Sequence, residues 1–550
     1  MLAAMPPSPA PPPHRAEPPV RDRGDACPGA LRLHSAADGQ LARVRLPAGD
    51  LTVRQATALA DAAERLGDGH LSLTSRGNAE LRGLPDGCGR QLAELLAGAG
   101  LLPSVRHERI RNIVASPLAG LGRRTPPDVR LWARDLDALL CASTAATGLS
   151  GRFLFVLDDG RGDVAGLGGD VTLIAESGTA GSGTAGSGIA GSGIAAPGGA
   201  DAASGRGADA TSGYGALLRV GDDPAALRIA GEDVPRAALT AAETFLTAAE
   251  ASGNGAWRIR ELPADRALTA REVARALRAA GIAAEYREHV EYREHAEGVD
   301  YVTYAGSSEG AADAAEAPGP RTAPPYADSR APGLVDGADG RRALAVLAPL
   351  GRLTVAQWQA LTGIAADDGT GELRLTPWRG IVLPGLPAAT APLRLRELAA
   401  AGLITDPASP WHRLSACTGR PGCAKSLTDV RADVTAALAE GAAGPAGGGD
   451  LPVHWSGCER RCGHPHGTWV DVVATPDGYR TAVIRPEDPA PSPAVRESAG
   501  LAPVSRETAQ LPAVSRDSAT PNPVSRETSP APDPSHATPI TPQPTTPRPQ

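Results

Sequence analysis

Apolar and polar residues alternate in the stretch LARVRL that begins at Leu41, and this period of two predicts a β-strand. Thr52 then precedes apolar residues at helical spacing, which predicts a helix with Thr52 as its N-cap. After Gly67 and Gly69 the stretch HLSLTSRGNAELRGLP alternates again and predicts a pair of strands. The pattern therefore predicts a small unit of mixed helix and strand.

This unit occurs twice, because the stretch LAVLAPLGRLTVAQWQALTG repeats it about 302 positions further on. Identical residues meet without a gap: Val44, Pro47, Gly49, Thr52, Gln55, Gly67 and Gly69 match Val346, Pro349, Gly351, Thr354, Gln357, Gly369 and Gly371. The period is far too long for a solenoid, so we interpret it as a duplicated domain whose halves are related by a pseudo-two-fold axis. Ligands often bind between domains, and the cleft between the halves is the expected place for a large, flat ligand.

Four segments of biased composition flank or separate these copies. Residues 1–26 and 486–550 are rich in proline, and we predict that both are disordered. Residues 306–338 are predicted to form a linker, and residues 177–213 repeat Gly, Ser and Ala. The repeat matches G-x-G-x-x-G, but a dinucleotide site needs that motif between a strand and a helix, so we interpret it as a surface loop.

Four of the seven cysteines gather near the C-terminal end, at Cys417, Cys423, Cys458 and Cys462, with Gly and Pro around them. Thiolates gathered at loop positions favour a metal centre, and four of them are the usual ligands of an iron-sulfur cluster. Structural zinc is an alternative, although its sites usually pair cysteines more closely than C-x5-C. Disulfides would need an oxidising compartment, and inert thiols are not expected to cluster.

Length and charge exclude several classes of protein. At 550 residues the chain is expected to form two or more domains, and its net charge of -8 gives no case for nucleic acid or an anionic membrane surface. No apolar run approaches the roughly 18 to 20 residues that span a bilayer. Proline occupies the N-terminus where a signal peptide needs an apolar core, so we expect a soluble cytoplasmic protein.

Arginines near predicted turns are the other candidates for chemistry, and Lys425 is the only lysine. A guanidinium stays charged and can bind two carboxylate oxygens at once, so several of them around a cleft would suit a polycarboxylate ligand. The candidates are Arg45, Arg76, Arg82, Arg111, Arg152 and Arg379. Taken singly, each has the simpler interpretation of an exposed or ion-paired side chain.

The cysteine pattern resembles the signature of the nitrite and sulfite reductase superfamily, which is C-x5-C, a spacer and G-C-x3-C. The resemblance implies an α+β fold with two ferredoxin-like half-domains and two α/β domains in pseudo-two-fold symmetry. It also implies that the four cysteines hold a 4Fe-4S cluster and that Cys462 bridges to a sirohaem iron. Arg460 and Arg461 stand where the reductases commonly have Asn-Gly.

The domains that follow from this resemblance are a first ferredoxin-like half-domain at 27–104, a first α/β domain at 105–305, a second half-domain at 339–400 and a cluster domain at 401–485.

One branch of that superfamily fits more of the chain. The chain is similar to the precorrin-3B synthases over nearly all of residues 27–485, in the motifs that begin at Cys27 (CPG), Arg76 (RGN), Leu375 (LTPWRG), Ser456 (SGC) and Gly463 (GHP). Those enzymes hydroxylate precorrin-3A at C20 with O2 in aerobic cobalamin biosynthesis, and an acetate closes a γ-lactone. The resemblance implies a 4Fe-4S cluster and a second iron centre, either non-haem or sirohaem-like. Electrons would come ultimately from NADH through a ferredoxin or flavoprotein reductase.

The same resemblance assigns roles to the arginines. Arg45, Arg76 and Arg111 match stretches with which the reductases bind their tetrapyrrole and anionic substrate, whereas Arg152 and Leu154 fall where the reductases have two active-site lysines. We therefore expect all six arginines to bind substrate, with Arg45, Arg111 and Arg152 in the catalytic site. A sirohaem-dependent sulfite or nitrite reductase is the alternative, which the missing lysines make less favourable.

Overall fold

The computed structural model describes residues 25, 27–121, 127–176, 215–288, 290–295, 298–304, 330–337, 339–441, 451–465 and 467–485. The helices within them are α1 (Val53–Arg65), α2 (Gly89–Gly98), α3 (Val129–Ala142), α4 (Val234–Ser252), α5 (Ala270–Ala279), α6 (Val355–Asp367), α7 (Ala391–Ala400) and α8 (Val430–Ala439). In this part of the chain, none of them has the length and apolar character that crossing a membrane requires.

The strands of the first copy and the domain after it are β1 (His34–Ala36), β2 (Gly39–Val44), β3 (Asp50–Thr52), β4 (His70–Leu73), β5 (Ala79–Leu84), β6 (Ile113–Ala115), β7 (Phe155–Asp158), β8 (Val171–Glu176), β9 (Gly215–Val220), β10 (Ala226–Ala230), β11 (Ala284–Arg287), β12 (Val290–His295) and β13 (Gly298–Tyr304). Those of the second copy and its domain are β14 (Gly333–Asp336), β15 (Arg341–Leu347), β16 (Arg352–Thr354), β17 (Glu372–Leu375), β18 (Gly380–Pro387), β19 (Leu414–Ala416), β20 (Val453–Ser456), β21 (Trp469–Thr475) and β22 (Gly478–Ile484).

Each copy of the repeated unit forms a five-stranded antiparallel sheet, and the two copies exchange one strand. The sheets have the orders β1-β2-β5-β4-β16 and β14-β15-β18-β17-β3. Strand β16 of the second copy pairs with β4 of the first, where Leu353 faces Leu71, and β3 pairs with β17, where Leu51 faces Leu373. This reciprocal exchange joins the two copies in the predicted pseudo-two-fold arrangement.

The first helix of each copy begins in the same way. The hydroxyl of Thr52 accepts the backbone N–H of Gln55, whose side chain accepts the N–H of Thr52, and Thr354 and Gln357 repeat this capping box. Helices α1 and α6 pack together, and both sheets share one hydrophobic core with them. Trp358 is fully buried in that core and donates its Nε1–H to a carbonyl oxygen of α1 at 2.8 Å.

The turn before each helix also repeats, in backbone conformations that few residues adopt. Ala48 and Leu350 have φ values of 58° and 51°, and Gly49 and Gly351 follow with 73° and 72°. A side chain on Gly49 would collide with the carbonyl oxygen of Leu375 in the other copy, so the strand exchange itself requires glycine there.

An α/β domain built on three parallel strands follows each copy. In the first domain β6, β7 and β8 are parallel, β9 is antiparallel to β8, and β10 and β11 complete a six-stranded sheet. Helices α3 to α5 cover it over a core that includes Trp132, Phe153 and Phe245. In the second domain β19, β20 and β21 are parallel, β22 is antiparallel, and α8 packs on them. The same order of strand directions shows that the duplication extends beyond the half-domains.

The structure confirms the elements predicted in the first copy, since β2 includes Leu41 to Val44 of the alternating stretch and α1 begins after Thr52. It differs in the linker, because β14 lies within 306–338 and forms the edge of the second sheet by pairing with β15. Strand β14 has four residues and follows a Pro-rich stretch, so its alternation of apolar and polar residues is too short to predict a strand. The predicted loop 177–213 and tail 486–550 lie outside the described residues, as do the N-terminal tail apart from Asp25 and the linker before residue 330.

Candidate metal centre and its arginines

The four cysteines lie at one edge of the second α/β domain. Cys417 follows β19, and Cys458 lies two residues after the end of β20. These strands are parallel neighbours in which Ala416 faces Trp455, so their carboxyl ends lie side by side. Cys417 continues that pairing, because its N–H donates to the carbonyl oxygen of Trp455 at 2.9 Å. Parallel strands therefore bring the two halves of the C-x5-C and C-x3-C pattern together.

Backbone contacts hold the loops between the cysteines. The N–H of Gly457 donates to Sγ of Cys417 at 3.3 Å, and the N–H of Leu427 donates to the carbonyl oxygen of Gly457 at 2.8 Å. A side chain on Gly457 would collide with Ser426, which explains the glycine in G-C-x3-C. Amide donors to cysteine sulfur are among the contacts that tune iron-sulfur clusters.

The thiol of Cys462 is close enough to the other three cysteines for their charges to affect its pKa. Burial raises the pKa of the Cys462 thiol, and the charges of Cys458, Cys417 and Cys423 raise it further, while Arg460 lowers it. All seven cysteines of the chain are free of disulfides, and Cys462 is the exposed member of the four. The interpretation as disulfides is therefore not supported.

The donor set favours one of the two metal alternatives. Four thiolates at loop positions are the usual ligands of a 4Fe-4S cluster, and Cys417, Cys423 and Cys458 are partly buried while Cys462 is exposed. Structural zinc sites usually pair their cysteines more closely in sequence than C-x5-C. The residues present therefore fit an iron-sulfur cluster.

A group of arginines from both copies surrounds this edge. Burial lowers the pKa of Arg431 to about 10, and Arg352, Arg379 and Arg82 lower it further, while Cys417 raises it. Nε of Arg431 donates to the carbonyl oxygen of Cys417 at 3.4 Å. Four positive side chains near the thiolates would stabilise the negative charge of a thiolate-bound cluster.

Arg82 and Arg379 attach the half-domains to the cysteine loops. Arg82 lies on β5, pairs with Asp38 and Glu80, and donates from Nη2 to the carbonyl oxygen of Gly422, the residue before Cys423, at 2.7 Å. Arg379 donates from Nη2 to the carbonyl oxygen of Gly463, the residue after Cys462, at 2.9 Å. Sequence reasoning assigned both to substrate, whereas the structure places both beside the cysteines.

His454 lies beneath the same loops and is fully buried. Its Nδ1 is 2.8 Å from the Ser415 hydroxyl, whereas Nε2 is buried without a hydrogen-bond partner. Burial lowers the pKa of His454 to about 3, and Arg379 and His464 lower it further. His454 is therefore neutral at physiological pH, which avoids a further positive charge beside Arg379 and His464.

A second group of arginines surrounds Cys27 at the contact between the first half-domain and the first α/β domain. Burial lowers the pKa of Arg45 to about 9, and Arg43 and Arg76 lower it further, while Cys27 raises it. Burial, Arg258 and Arg43 likewise lower the pKa of Arg76 to about 10. Because these cations lower one another's pKa values, an anionic ligand among them would relieve their repulsion.

The arginines of this second group differ in how their donors are used. Arg45 donates to the carbonyl oxygens of Arg109 and Gly151 at 3.1 and 3.0 Å and approaches Asn112 at 3.4 Å, so it joins two domains. Among the described residues, the guanidinium of Arg76 makes one hydrogen bond, a long one of 3.3 Å to the carbonyl oxygen of Arg152. Arg76 therefore retains donors for a ligand.

Arg152 and Arg111 have contrasting positions. Arg152 is exposed, and its guanidinium lies 4.8 Å from the centre of the Trp257 ring. Arg111 is buried and donates to both carboxylate oxygens of Asp137 at 2.6 and 2.7 Å and to the carbonyl oxygen of Leu101. The structure brings Arg45, Arg76 and Arg152 together around Cys27, whereas Arg111 pairs with Asp137 on α3.

Sequence reasoning missed Arg43, Arg258 and Arg431, which complete the two groups. Arg43 carried a signal, because it stands two residues before Arg45 and therefore on the same side of the strand. Arg258 and Arg431 carry no signal, since tertiary contacts alone bring them to the site.

Comparison with known proteins agrees with this geometry. The Nitrite/Sulfite reductase ferredoxin-like half domain matches twice, at residues 34–97 and 336–401. The structure of the Mycobacterium tuberculosis NirA protein superposes with a TM-score of 0.55 at 16% identity, over 81% of this chain and 73% of that one. The chain has the nitrite/sulfite reductase fold. Its predicted α+β architecture is thereby confirmed.

Curated sequence relatives match shorter stretches of the chain. A precorrin-3B synthase of Sinorhizobium sp is 33% identical over 160 residues, 29% of this chain and 34% of the relative. Ferredoxin–nitrite reductases of Zea mays and Synechococcus elongatus are 33% and 31% identical over 117 and 121 residues, 21% of this chain in each case. The matched segments span about a third of the first relative and about a fifth of the reductases.

Proposed function

We propose that this protein is a precorrin-3B synthase-like monooxygenase that hydroxylates precorrin-3A at C20 with O2 and closes a γ-lactone. The similarity to the precorrin-3B synthase of Sinorhizobium sp supports this assignment. A sirohaem-dependent nitrite or sulfite reductase is the second candidate, which the similarity to nitrite reductases favours.

The observation that carries the proposal is the chemistry of the cations around Cys27. Arg152 and Leu154 occupy the positions of the two lysines in the reductases that the sequence resembles, and Leu154 is buried among Val114, Val156 and Val164. The chain's only lysine, Lys425, is exposed in the cysteine loop. Arginine binds carboxylates but does not release its proton at neutral pH, whereas a lysine can donate one. The group is therefore suited to hold a polycarboxylate rather than to protonate a bound oxyanion.

The cysteines and arginines have separate tasks in this proposal. Cys417, Cys423, Cys458 and Cys462 would hold a 4Fe-4S cluster, which when bound supplies electrons one at a time. Arg431 and Arg379 stabilise negative charge at that edge, and the exposed Cys462 presents its sulfur to any second metal.

Substrate positioning falls to the group around Cys27. Arg76 and Arg152 would bind acetate and propionate groups of the substrate and so determine which meso carbon faces the oxidant. Arg45 positions this group, because it connects the half-domain to the loops that carry Arg109 and Gly151. The electrons would come from NADH through a separate ferredoxin or flavoprotein reductase.

An isotope experiment tests the proposal. Protein purified without oxygen is incubated with precorrin-3A, a reduced donor and ¹⁸O2, and the product is analysed by mass spectrometry. We expect one ¹⁸O atom in the hydroxylated product and no product without the donor. Reduction of nitrite or sulfite by the same preparation, without oxidation of precorrin-3A, would favour the reductase instead.

A further inference from the structure

Three aspartates form a compact group in the first α/β domain, far along the chain from the cysteines. Asp158 is the last residue of β7, Asp159 follows it, and Asp163 lies in the same loop. One carboxylate oxygen of each lies within 4.8 Å of the others, and all three residues are buried. Such a distance fits oxygens that share one small ion.

Asp158 organises the backbone of this loop. Its Oδ1 accepts the N–H groups of Gly160 and Gly162, both at 2.8 Å, and its Oδ2 accepts those of Val164 and Ala165, both at 3.0 Å. Four amide donors fix the loop around one carboxylate, so the loop presents Asp159 and Asp163 in a defined geometry.

Two oxygens of the group lack hydrogen bonds despite their burial. Asp163 is 7% exposed; its Oδ1 accepts from Ser116 at 2.6 Å, and its Oδ2 has no donor. Asp159 is 3% exposed, and its Oδ2 has no hydrogen bond, although Nη2 of Arg161 lies 3.0 Å away. Asp159 Oδ2 therefore has an ionic partner in Arg161, whereas Asp163 Oδ2 has no hydrogen bond among the described residues. A buried carboxylate oxygen without a donor is costly, so Asp163 points to a missing positive partner.

The charges of the group do not balance within the described residues. Arg161 is the cation in contact with Asp159, and it also donates to the carbonyl oxygens of Leu118 and Leu121. Nη2 of Arg330 donates to the backbone carbonyl oxygen of Asp163 at 3.3 Å. Burial raises the pKa values of Asp159 and Asp163 and neighbouring aspartates add to both shifts, while Arg161 lowers both and Arg330 lowers that of Asp163. Three carboxylates therefore face two arginines in this part of the chain.

The place of the group in the fold matches that of the cysteines. Ser116 follows β6 as Cys417 follows β19. Asp158 is the last residue of β7 and Asp159 follows it, in the place where Gly457 and Cys458 follow β20. Both groups therefore lie at the carboxyl ends of the first two parallel strands of their domains, where ligands commonly bind in such sheets. Soft thiolates occupy this edge in one domain and hard oxygens in the other.

We propose that the carboxylates of Asp159 and Asp163, in the loop that Asp158 organises, bind one hard divalent cation, Mg²⁺ or Ca²⁺. Carboxylate oxygens are the ligands that these ions prefer. The cation would fix residues 158–170, a loop that ends in Asp170, whose carboxylate pairs with Arg258 in the group around Cys27. It would thus hold the arginine site in place, and its binding does not depend on the reaction that the protein catalyses.

Thermal unfolding of the full-length protein tests the site. EDTA-treated protein is unfolded with EDTA, with MgCl2 or with CaCl2 at 1 mM, and we expect one or both ions to raise the midpoint by roughly 3 °C or more. The ion that acts identifies the occupant. Neither ion prefers thiolates, so the cysteines do not compete. The response should disappear in Asp163→Asn and persist in Asp135→Asn, which changes the same charge on the exposed face of α3.

Calorimetry on the unmodified protein keeps the test valid if Asp163→Asn does not fold. Titration of MgCl2 or CaCl2 into this protein at pH 7 should give a binding isotherm with one site per chain. An unchanged midpoint and no binding heat with either ion would overturn the proposal, as would an Asp163→Asn protein that responds like the unmodified one.

Discussion

The two copies of the half-domain share their backbone and differ in the chemistry of one face. In the first copy Ala42 and Val44 face the core, while Arg43 and Arg45 point the other way, and β5 adds Glu80 and Arg82 to that side. In the second copy Ala345, Leu347, Val382 and Pro384 stand at the corresponding positions. Duplication therefore supplied one scaffold with a charged face for a site and an apolar face for packing.

A turn in each copy shows how the same conformation serves both purposes. Gly77 in the first copy and Arg379 in the second have φ values of 64° and 61° at equivalent positions. The glycine adopts this conformation without strain, whereas the arginine holds it while donating to Gly463 beside the cysteines. A residue in a conformation that disfavours side chains, with its guanidinium directed at the metal centre, is consistent with a functional constraint.

The largest difference between the halves is the cysteine quartet, and Cys458→Ser should remove it. The hydroxyl is a poor substitute for a thiolate ligand, so we expect most of the iron and acid-labile sulfide, and all turnover, to be lost. Cys141→Ser, at a half-buried cysteine on α3, is the matched control and should keep the iron content. Equal iron and sulfide in the two variants would contradict the assignment of the cluster to these cysteines.

Arg374 on the apolar side should matter for stability rather than for the site. It is 3% exposed and donates to the carbonyl oxygens of Pro117 and Ala119 at 3.0 and 2.9 Å. Arg374→Met leaves both acceptors buried without a donor, which should lower the free energy of unfolding by about 2 to 4 kcal/mol. Urea unfolding measures this loss. Arg396→Met, at an exposed position of α7, should change it little, and equal effects would refute the structural role of Arg374.

Arg76 on the charged side should show the opposite behaviour. Its single long hydrogen bond to Arg152 leaves donors for a carboxylate, so Arg76→Gln should cost about 1.5 to 3 kcal/mol of binding, roughly 10- to 100-fold in KM for precorrin-3A. Its stability should change little, because no buried acceptor loses its only donor. Arg65→Gln, exposed at the end of α1, provides the control. A KM within a factor of two of the control would remove Arg76 from the binding site.

The parts of this comparison that the sequence predicts are the local ones. The capped helices and the grouping of cysteines follow from patterns within short stretches, the repeat follows from identities between two such stretches, and the structure confirms the elements of the first copy. The strand exchange was beyond prediction, since β3 and β16 are three residues each and their partners lie in the other copy. The positions of Arg258 and Arg431 and the burial of the Asp163 carboxylate also depend on contacts distant in sequence.

Where the two copies have the same local structure, equivalent substitutions should have equal effects on stability. The two capping boxes allow a test of this with the smallest expected effect. Thr52→Ala and Thr354→Ala each remove the hydroxyl that accepts the N–H of the third helical residue, Gln55 or Gln357. Each should lower the free energy of unfolding by about 1 kcal/mol, and the double variant by about twice that, because the side-chain hydrogen bonds of each cap lie within its own helix start. Urea unfolding of the three variants measures both quantities. Unequal single effects, or a double variant far from the sum, would show that the strand exchange couples the two helix starts and that the copies are not energetically equivalent.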